Sequence, residues 1–173
     1  GKMFAHQHAK IIPDFVCLSK GLTGGYLPMS VTLTSDKIYN AFYDDDIKKG
    51  FLHSHSYTGN PLACSAALGT LSIFESDDVL KKNLVLSKNI NQLVLSLKDL
   101  PIHDLRSIGM IWAFELDSKI SIEKVLEFSL NKGLLIRPID HTIYFMPPYC
   151  IRESEAKQMI KITRDAILYA ISN

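Results

Sequence analysis

The sequence predicts an α/β protein. Short apolar runs rich in β-branched residues alternate along the chain with longer segments whose apolar residues recur at helical spacing. No internal repeat or low-complexity tract interrupts this alternation. With 173 residues, of which 47% are hydrophobic and 21% charged, the chain is also long enough to bury a core.

The first part of the chain is predicted to contain two strands and two helices. Apolar runs predict a buried strand at residues 15–18 and a second strand at residues 30–34. A short helix is expected to open after Ser35. A longer helix is expected at Asn60-Pro61, because asparagine is favoured at the N-cap and proline at the first helical position.

A further helix is expected to restart at Ser76. Its later part places five apolar residues on one face at 3.6-residue periodicity: Leu86, Ile90, Leu93, Val94 and Leu97. A strand should follow at residues 110–116. The next helix should be capped by Ser121 and ended by Gly133, since glycine readily adopts the backbone conformation that terminates helices.

Two more strands are expected at residues 134–137 and 143–146. A final helix should start at Ser154 and place six residues on its inner face: Met159, Ile160, Thr163, Ile167, Ala170 and Ile171. The change in pattern between residues 76 and 100 predicts a boundary there, between an N-terminal α/β piece and a C-terminal α/β unit.

The charge balance and the cysteines limit the class of protein. Nineteen basic and eighteen acidic residues leave a net charge of +1, which gives no electrostatic argument for binding nucleic acid or an anionic membrane. Cys17, Cys64 and Cys150 are scattered and odd in number, which disfavours a disulfide framework and favours a reducing compartment. No apolar run reaches the length of a membrane span, so we expect a cytoplasmic protein.

Lys20 ends the first apolar run and is followed within five residues by Gly21, Gly24 and Gly25. Ligands of open α/β sheets bind at the carboxyl ends of strands. Partial burial there would disfavour the ammonium form, and a neutral lysine amine can form a Schiff base with an aldehyde or ketone. The glycines would leave room for a ligand. The alternative is that Lys20 simply ends a strand and extends into solvent.

The segment "FLHSHSYTGNPLACSAAL", residues 51–68, gathers small hydroxyl groups and two histidines before a predicted helix: His53, Ser54, His55, Ser56 and Thr58. Hydroxyls and free backbone N–H groups at a helix N-terminus suit an anion such as phosphate. The alternative is that the histidines make only local hydrogen bonds. A metal site is disfavoured because no acidic or thiol ligand is nearby.

Arg137 interrupts an apolar run immediately before Pro138. Its guanidinium could bind a substrate carboxylate through two parallel hydrogen bonds. A structural ion pair with an acidic residue explains the local pattern equally well.

Taken together, three segments resemble the class III aminotransferases, which use pyridoxal 5′-phosphate (PLP) and adopt fold type I. They are "PDFVCLSKGLTGGYLPMS", "HSHSYTGNPLACSAAL" and "IRPIDHTIYFMPPY", and the resemblance runs along essentially the whole chain. The last segment is similar to the branch of the family that acts in biotin synthesis.

The resemblance implies a role for three residues in cofactor binding. Lys20 would hold PLP through a Schiff base and move protons during amino transfer. Ser56 stands where the family usually has a threonine that binds the PLP phosphate, typically across a dimer interface, and serine keeps the hydroxyl. His55 would add a backbone contact beside it.

The resemblance also implies substrate contacts. Arg137 would hold the carboxylate of the keto-acid substrate, and Tyr144 would line the same pocket. Ser54 stands where glycine is common at the substrate edge, so its side chain would narrow that pocket.

The implied fold is the C-terminal portion of such an enzyme. Residues 1–76 would be the end of the PLP-binding large domain, residues 77–100 a connecting helix, and residues 101–173 the small C-terminal α/β domain. The aspartate that pairs with the PLP ring nitrogen in the family would lie upstream of Gly1. The chain alone would then carry the lysine without a complete site.

The implied activity converts 8-amino-7-oxononanoate (7-keto-8-aminopelargonate) to 7,8-diaminopelargonate, with S-adenosylmethionine as amino donor and a homodimer as the full-length enzyme. No nucleic acid or membrane partner is implied. One alternative is another class III aminotransferase that acts on an ω-amino acid, or a relative that uses lysine as donor. The other is a non-catalytic C-terminal fragment or dimerisation module.

Overall fold

The computed structural model describes residues 1–172 as two compact units, Lys2–Leu80 and the part from Lys81 onward. The three-part domain division predicted above stays a prediction. Within the described residues, no helix combines the length and apolar character that crossing a membrane requires.

The N-terminal unit contains short strands and helices joined by turns. Its elements are α1 (His6–Ala9), β1 (Phe15–Leu18), a 3₁₀ turn (Lys20–Thr23), β2 (Val31–Thr34), α2 (Asp36–Tyr39), a second 3₁₀ turn (Ile47–Lys49) and α3 (Pro61–Ser76). Strands β1 and β2 pair antiparallel, with Phe15 opposite Thr34 and Leu18 opposite Val31. The predicted strands and helices of this part are therefore confirmed.

Helix α3 begins as the sequence predicted. The Asn60 side chain accepts hydrogen bonds from the backbone N–H groups of Leu62 and Ala63, at 2.9 and 3.2 Å, and Pro61 occupies the first helical position. The small residues Ala63 and Ala67 are buried. The 3₁₀ turn that follows β1 packs against this helix.

The prediction that β1 is a buried strand is wrong for the described residues. Phe15 is 55% exposed, and no residue of β1 is fully buried. The reason is that β1 has a single neighbour, β2, in a two-stranded sheet. A strand is buried on both faces only where other layers cover it.

The C-terminal unit is a three-stranded antiparallel sheet with helices. The elements are α4 (Val79–Leu95), which begins just before the division between the units, a 3₁₀ turn (Ser96–Asp99), β3 (Ile102–Ile108), β4 (Ile111–Leu116), α5 (Ile122–Asn131), β5 (Thr142–Phe145) and α6 (Glu153–Ser172). The strand order is β3-β4-β5, and α5 packs against α6.

One hydrophobic core joins this sheet to its helices. The most deeply buried large side chains come from β4, β5, α4 with its 3₁₀ extension, and α6: Trp112, Phe114, Ile143, Ile90, Val94, Leu97 and Ile167. The predicted inner face of α4 is confirmed, with Leu86 and Leu93 partly buried against the core. The predicted inner face of α6 is confirmed except for Ile171, which is 50% exposed.

Two strand predictions differ from the structure. Residues 134–137 form no strand. Pro138, which follows them, has no N–H group to donate to a neighbouring strand. The nearest pairing is an isolated bridge between Ile139 and Thr142. Conversely, β3 was not predicted. Its polar residues obscure the strand pattern, and its pairing with β4 shifts register between His103 and Arg106.

Candidate functional site

Lys20 lies two residues beyond the end of β1, at the start of the 3₁₀ turn Lys20–Thr23. Its φ of 53° places it in the left-handed region, which is uncommon for a residue other than glycine. The preceding residue, Ser19, is fully extended, and its carbonyl accepts a hydrogen bond from the Leu22 N–H at 3.1 Å. The chain therefore reverses sharply at Lys20.

Lys20 lines an open cleft in the N-terminal unit with a volume of about 980 Å³. Three segments form its walls: residues 19–20, residues 25–30, and the segment around the start of α3, where His55, residues 57–60, Leu62 and Ala63 contribute. The cleft thus brings together two of the segments that the sequence singled out.

The partial burial predicted for Lys20 is wrong within the described residues. Lys20 is exposed, since the short two-stranded sheet behind it provides no cover. Among residues 1–172, no hydrogen bond or ion pair engages its ammonium group. The group is therefore accessible to a ligand that enters the cleft.

A compact turn at residues 55–60 contributes to another wall of the cleft. The His55 N–H donates to Thr58 Oγ1 at 3.1 Å, and the Thr58 N–H donates to the His55 carbonyl at 3.0 Å. The Tyr57 N–H donates to His55 Nδ1 at 3.1 Å. A neutral His55 ring with Nδ1 as acceptor carries its proton on Nε2.

The N-terminus of α3 does not offer free N–H groups to an anion, which corrects part of the phosphate prediction. Pro61 has no N–H, and Leu62 and Ala63 donate to Asn60 Oδ1. The Cys64 N–H donates to the Asn60 carbonyl at 3.0 Å. A phosphate in this region would therefore depend on hydroxyl groups and on N–H groups outside the helix.

Ser54 and Ser56 are exposed, and neither lines the cleft that contains Lys20 within the described residues. Ser56 lies between His55 and Tyr57, which do line it. The His55 N–H already has Thr58 Oγ1 as its acceptor.

Arg137 and Tyr144 belong to the C-terminal unit. Arg137 is exposed in the irregular segment after α5, and within residues 1–172 no acidic side chain pairs with it. The alternative that Arg137 forms a structural ion pair therefore has no support among the described residues. Tyr144 lies on β5, half-buried, opposite Ala113 of β4.

The cleft contains residues that the sequence analysis did not single out. Tyr26 and Tyr57 line it with side chains that are 88% and 75% exposed. Their aromatic character next to the lysine and histidine segments was the available signal. None of the residues that line the cleft is acidic. No group of three metal-ligating side chains lies together in the part of the chain that the structure describes.

Residues 1–167 match the protein family described as Aminotransferase class-III. The chain belongs to the class III aminotransferase family. The match covers nearly the whole chain, so both units are included in it.

Three curated relatives illustrate the similarity. The chain is 49% identical over 170 residues to the adenosylmethionine-8-amino-7-oxononanoate aminotransferase of Helicobacter pylori, covering 92% of this chain and 39% of the relative. The enzymes of that name from Staphylococcus aureus and Methanocaldococcus jannaschii are 38% and 39% identical, covering 96% of this chain and 39% and 40% of the relatives. The chain thus spans about two fifths of the length of these relatives.

Solved structures agree with this family membership. The crystal structure of the Methanocaldococcus jannaschii enzyme superposes with a TM-score of 0.85 at 38% identity, covering 92% of this chain and 39% of that one. A PLP-bound amine transaminase from an uncultivated Pseudomonas species has a TM-score of 0.84 at 26% identity, covering 98% and 41%. The predicted aminotransferase fold is therefore confirmed for the portion of the enzyme that this chain represents.

Proposed function

We propose that this chain is the lysine-bearing portion of an aminotransferase of biotin biosynthesis, which converts 8-amino-7-oxononanoate to 7,8-diaminopelargonate with S-adenosylmethionine as amino donor. The proposal is supported by the names of its relatives, which reach 49% identity over most of the chain. Residues 1–76 would belong to the cofactor domain, residues 77–100 to a connecting helix, and residues 101–173 to the small domain.

The residues that line the cleft fit the aldehyde end of PLP. It presents a lysine amine that no other described side chain engages, and its volume of about 980 Å³ exceeds what a cofactor of this size needs. The cleft has no acidic side chain to pair with the PLP ring nitrogen. In the proposed enzyme that partner comes from a part of the protein outside these residues.

Lys20 is the proposed catalytic residue. When bound, PLP supplies an electron sink that makes amino transfer possible. The amine of Lys20 would hold the cofactor aldehyde covalently, with loss of water, until a substrate amine displaces it, and the released amine would then remove and return a proton at the substrate carbon. A lysine that is already engaged in an ion pair would be less able to do so, and Lys20 is not engaged among the described residues.

Ser56 and His55 are proposed to bind the cofactor phosphate. Ser56 offers an exposed hydroxyl and does not line the cleft of its own chain. An exposed hydroxyl outside this cleft is compatible with the proposed role at the site of a second subunit in a homodimer. His55 would contribute its N–H by exchanging the Thr58 hydroxyl for a phosphate oxygen.

Arg137 is proposed to bind the substrate carboxylate, with Tyr144 and Ser54 forming part of the substrate pocket. The support for Arg137 is its exposed guanidinium without an acidic partner among residues 1–172. A guanidinium fork can bind a carboxylate through two parallel hydrogen bonds.

The three free cysteines, Cys17, Cys64 and Cys150, support the proposal that the protein works in a reducing compartment, the cytoplasm.

The observation that carries the proposal is the unengaged Lys20 amine in the cleft. The test is reduction with borohydride in the presence of PLP, followed by peptide mapping, on the protein as its gene encodes it. We expect one pyridoxyl group on Lys20, none in Lys20→Ala, and an unchanged yield in the exposed-lysine control Lys37→Ala. Labelling spread over several lysines, or retained in Lys20→Ala, would contradict the proposal.

A second candidate, an aminotransferase for other amines, is favoured by the similarity to the Pseudomonas amine transaminase. The two candidates differ in substrate rather than in the role of Lys20. Amino transfer from S-adenosylmethionine to 8-amino-7-oxononanoate supports the first. Turnover of simple amines or of lysine, without use of S-adenosylmethionine, supports the second.

A further inference from the structure

Thr23 is the one residue of the turn Lys20–Thr23 that is buried, with 1% of its surface exposed. Its hydroxyl donates a short hydrogen bond of 2.6 Å to the Leu27 carbonyl. Its own carbonyl accepts a hydrogen bond from the Tyr26 N–H at 3.2 Å. Thr23 therefore closes the loop that follows Lys20 through both its side chain and its backbone.

The backbone at the start of this turn is strained. Lys20 has a φ of 53°, and a residue with a Cβ stays in this region only where its surroundings hold it there. The turn makes few hydrogen bonds of its own, namely Leu22 N–H to the Ser19 carbonyl and Gly24 N–H to the Gly21 carbonyl. The buried Thr23 side chain adds a hydrogen bond from this turn to Leu27, outside the turn.

The same hydrogen bond fixes one wall of the cleft. Leu27 and Tyr26 line the cleft beside Lys20. Gly24 packs so closely on α3 that an added Cβ would lie 3.2 Å from Thr70 Oγ1. Thr23 thus lies between the strained Lys20 backbone and the loop wall, next to the glycine that packs on α3.

We propose that Thr23 is a positioning residue, whose hydroxyl bond to Leu27 holds Lys20 in its left-handed conformation and keeps the loop wall in place. The proposal rests on the proposed function, because the group that Thr23 positions is the lysine that would bind the cofactor. Thr23 itself does not line the cleft, so it acts through Lys20 and Leu27.

The test compares Thr23→Val, which keeps the shape but removes the hydroxyl, with Thr23→Ser, which keeps the hydroxyl. The first readout needs no cofactor: amide hydrogen exchange of residues 20–27 in the protein as its gene encodes it. Because a hydrogen bond contributes on the order of 1 kcal/mol, we expect exchange about fivefold faster in Thr23→Val. Thr23→Ser should restore most of the protection, and exchange in β4 should be unchanged in both.

The second readout is the rate at which PLP forms a borohydride-reducible bond with Lys20, and the pH dependence of that rate. We expect a slower rate and a shifted pH profile in Thr23→Val, with recovery in Thr23→Ser. Equal exchange in all three proteins would overturn the proposal, as would Thr23→Ser behaving like Thr23→Val. If Lys20 of the unmodified protein forms no bond with PLP, the proposed function fails. The exchange result then still decides whether Thr23 holds the turn.

Discussion

Arg164 of α6 binds the Asp99 carboxylate through both ends of its guanidinium. Nη1 donates to Asp99 Oδ1 at 2.8 Å and Nη2 to Oδ2 at 2.5 Å. Nη1 also donates to the Ser96 carbonyl at 2.8 Å. The pair joins residues 65 positions apart in sequence, so it fastens the last helix to the turn between α4 and β3.

This pair predicts how the stability of the C-terminal unit depends on pH. The hydrogen bonds from Arg164 lower the pKa of Asp99 below its ordinary value of 3.8. A carboxyl group whose pKa is lowered by folding stabilises the folded state fully above its unfolded pKa, and the contribution is lost as the pH falls through the folded value. We expect urea denaturation to show a smaller difference between the natural protein and Asp99→Asn below pH 3.8 than at neutral pH.

Arg164→Lys is the matched variant for this prediction. A lysine keeps the charge but cannot donate to both carboxylate oxygens and to the Ser96 carbonyl in one plane. It should therefore resemble Asp99→Asn more closely than the natural protein. Identical pH profiles for all three proteins would show that the pair does not contribute to folding.

The hydrogen bond of Trp112, the only tryptophan of the chain, leads to a second prediction about stability. It is 1% exposed, and its Nε1–H donates to Asn91 Oδ1 of α4. Asn91→Ala removes the acceptor, and we expect a loss of about 1–3 kcal/mol in the free energy of unfolding. The neighbouring exposed residue offers the control Gln92→Ala, which should change little. Denaturation followed by Trp112 fluorescence measures both.

Gly24 and Gly25 form a matched pair for testing the loop after Lys20. Both have positive φ, 62° and 83°, so alanine at either position should cost about 1–2 kcal/mol of stability through backbone strain. Gly24→Ala should cost more, because only there would the Cβ approach Thr70 Oγ1, at 3.2 Å. Thr70→Ala should relieve that extra cost, and a double-mutant cycle of unfolding free energies measures the coupling. Equal costs at the two glycines would contradict this reading of the packing.

How far the sequence predicts this fold depends on whether a local signal exists. The start of α3 is predicted because Asn60 and Pro61 are local cap residues, and the structure has both in those roles. Strand β3 is missed because Asp104, with a φ of 47°, interrupts its pattern with a register shift that only pairing with β4 defines. Residues 134–137 have the composition of a strand but find no partner in the described chain.

How far the sequence predicts the candidate site also depends on whether a local signal exists. The sequence identifies Lys20 and the segment around His55 as separate motifs, and the cleft then brings Lys20 and His55 together. Thr23 carries no local signal, since its proposed role depends on a hydrogen bond to Leu27 and on its burial. Burial likewise cannot be read from residues 15–18, because it depends on which layers surround the strand.

We predict that removing the Ser56 hydroxyl lowers the affinity for the cofactor. A hydroxyl that binds a phosphate makes a hydrogen bond to a charged group, which contributes about 1.5–3 kcal/mol. Ser56→Ala should therefore weaken PLP binding by about tenfold to a hundredfold, while Ser56→Thr should retain it. Equilibrium titration of the apoprotein with PLP measures the affinity. Equal affinities for Ser56→Ala and the natural protein would remove Ser56 from the proposed phosphate site.

We predict that replacing Arg137 impairs substrate use and leaves attachment of the cofactor intact. Removing a two-pronged guanidinium contact to a carboxylate should reduce kcat/KM for 8-amino-7-oxononanoate by about a hundredfold, since charged hydrogen bonds contribute up to about 3 kcal/mol. Arg137→Lys should recover only part of the loss, because an ammonium cannot form the fork. The control is Arg152→Ala, since Arg152 is exposed like Arg137 but already pairs with Glu155 at 2.7 Å. Borohydride labelling of Lys20 should be unchanged in all these variants. Arg137 does not bind the substrate carboxylate if Arg137→Ala impairs labelling and substrate use to the same extent. The same conclusion follows if Arg137→Ala impairs neither of them.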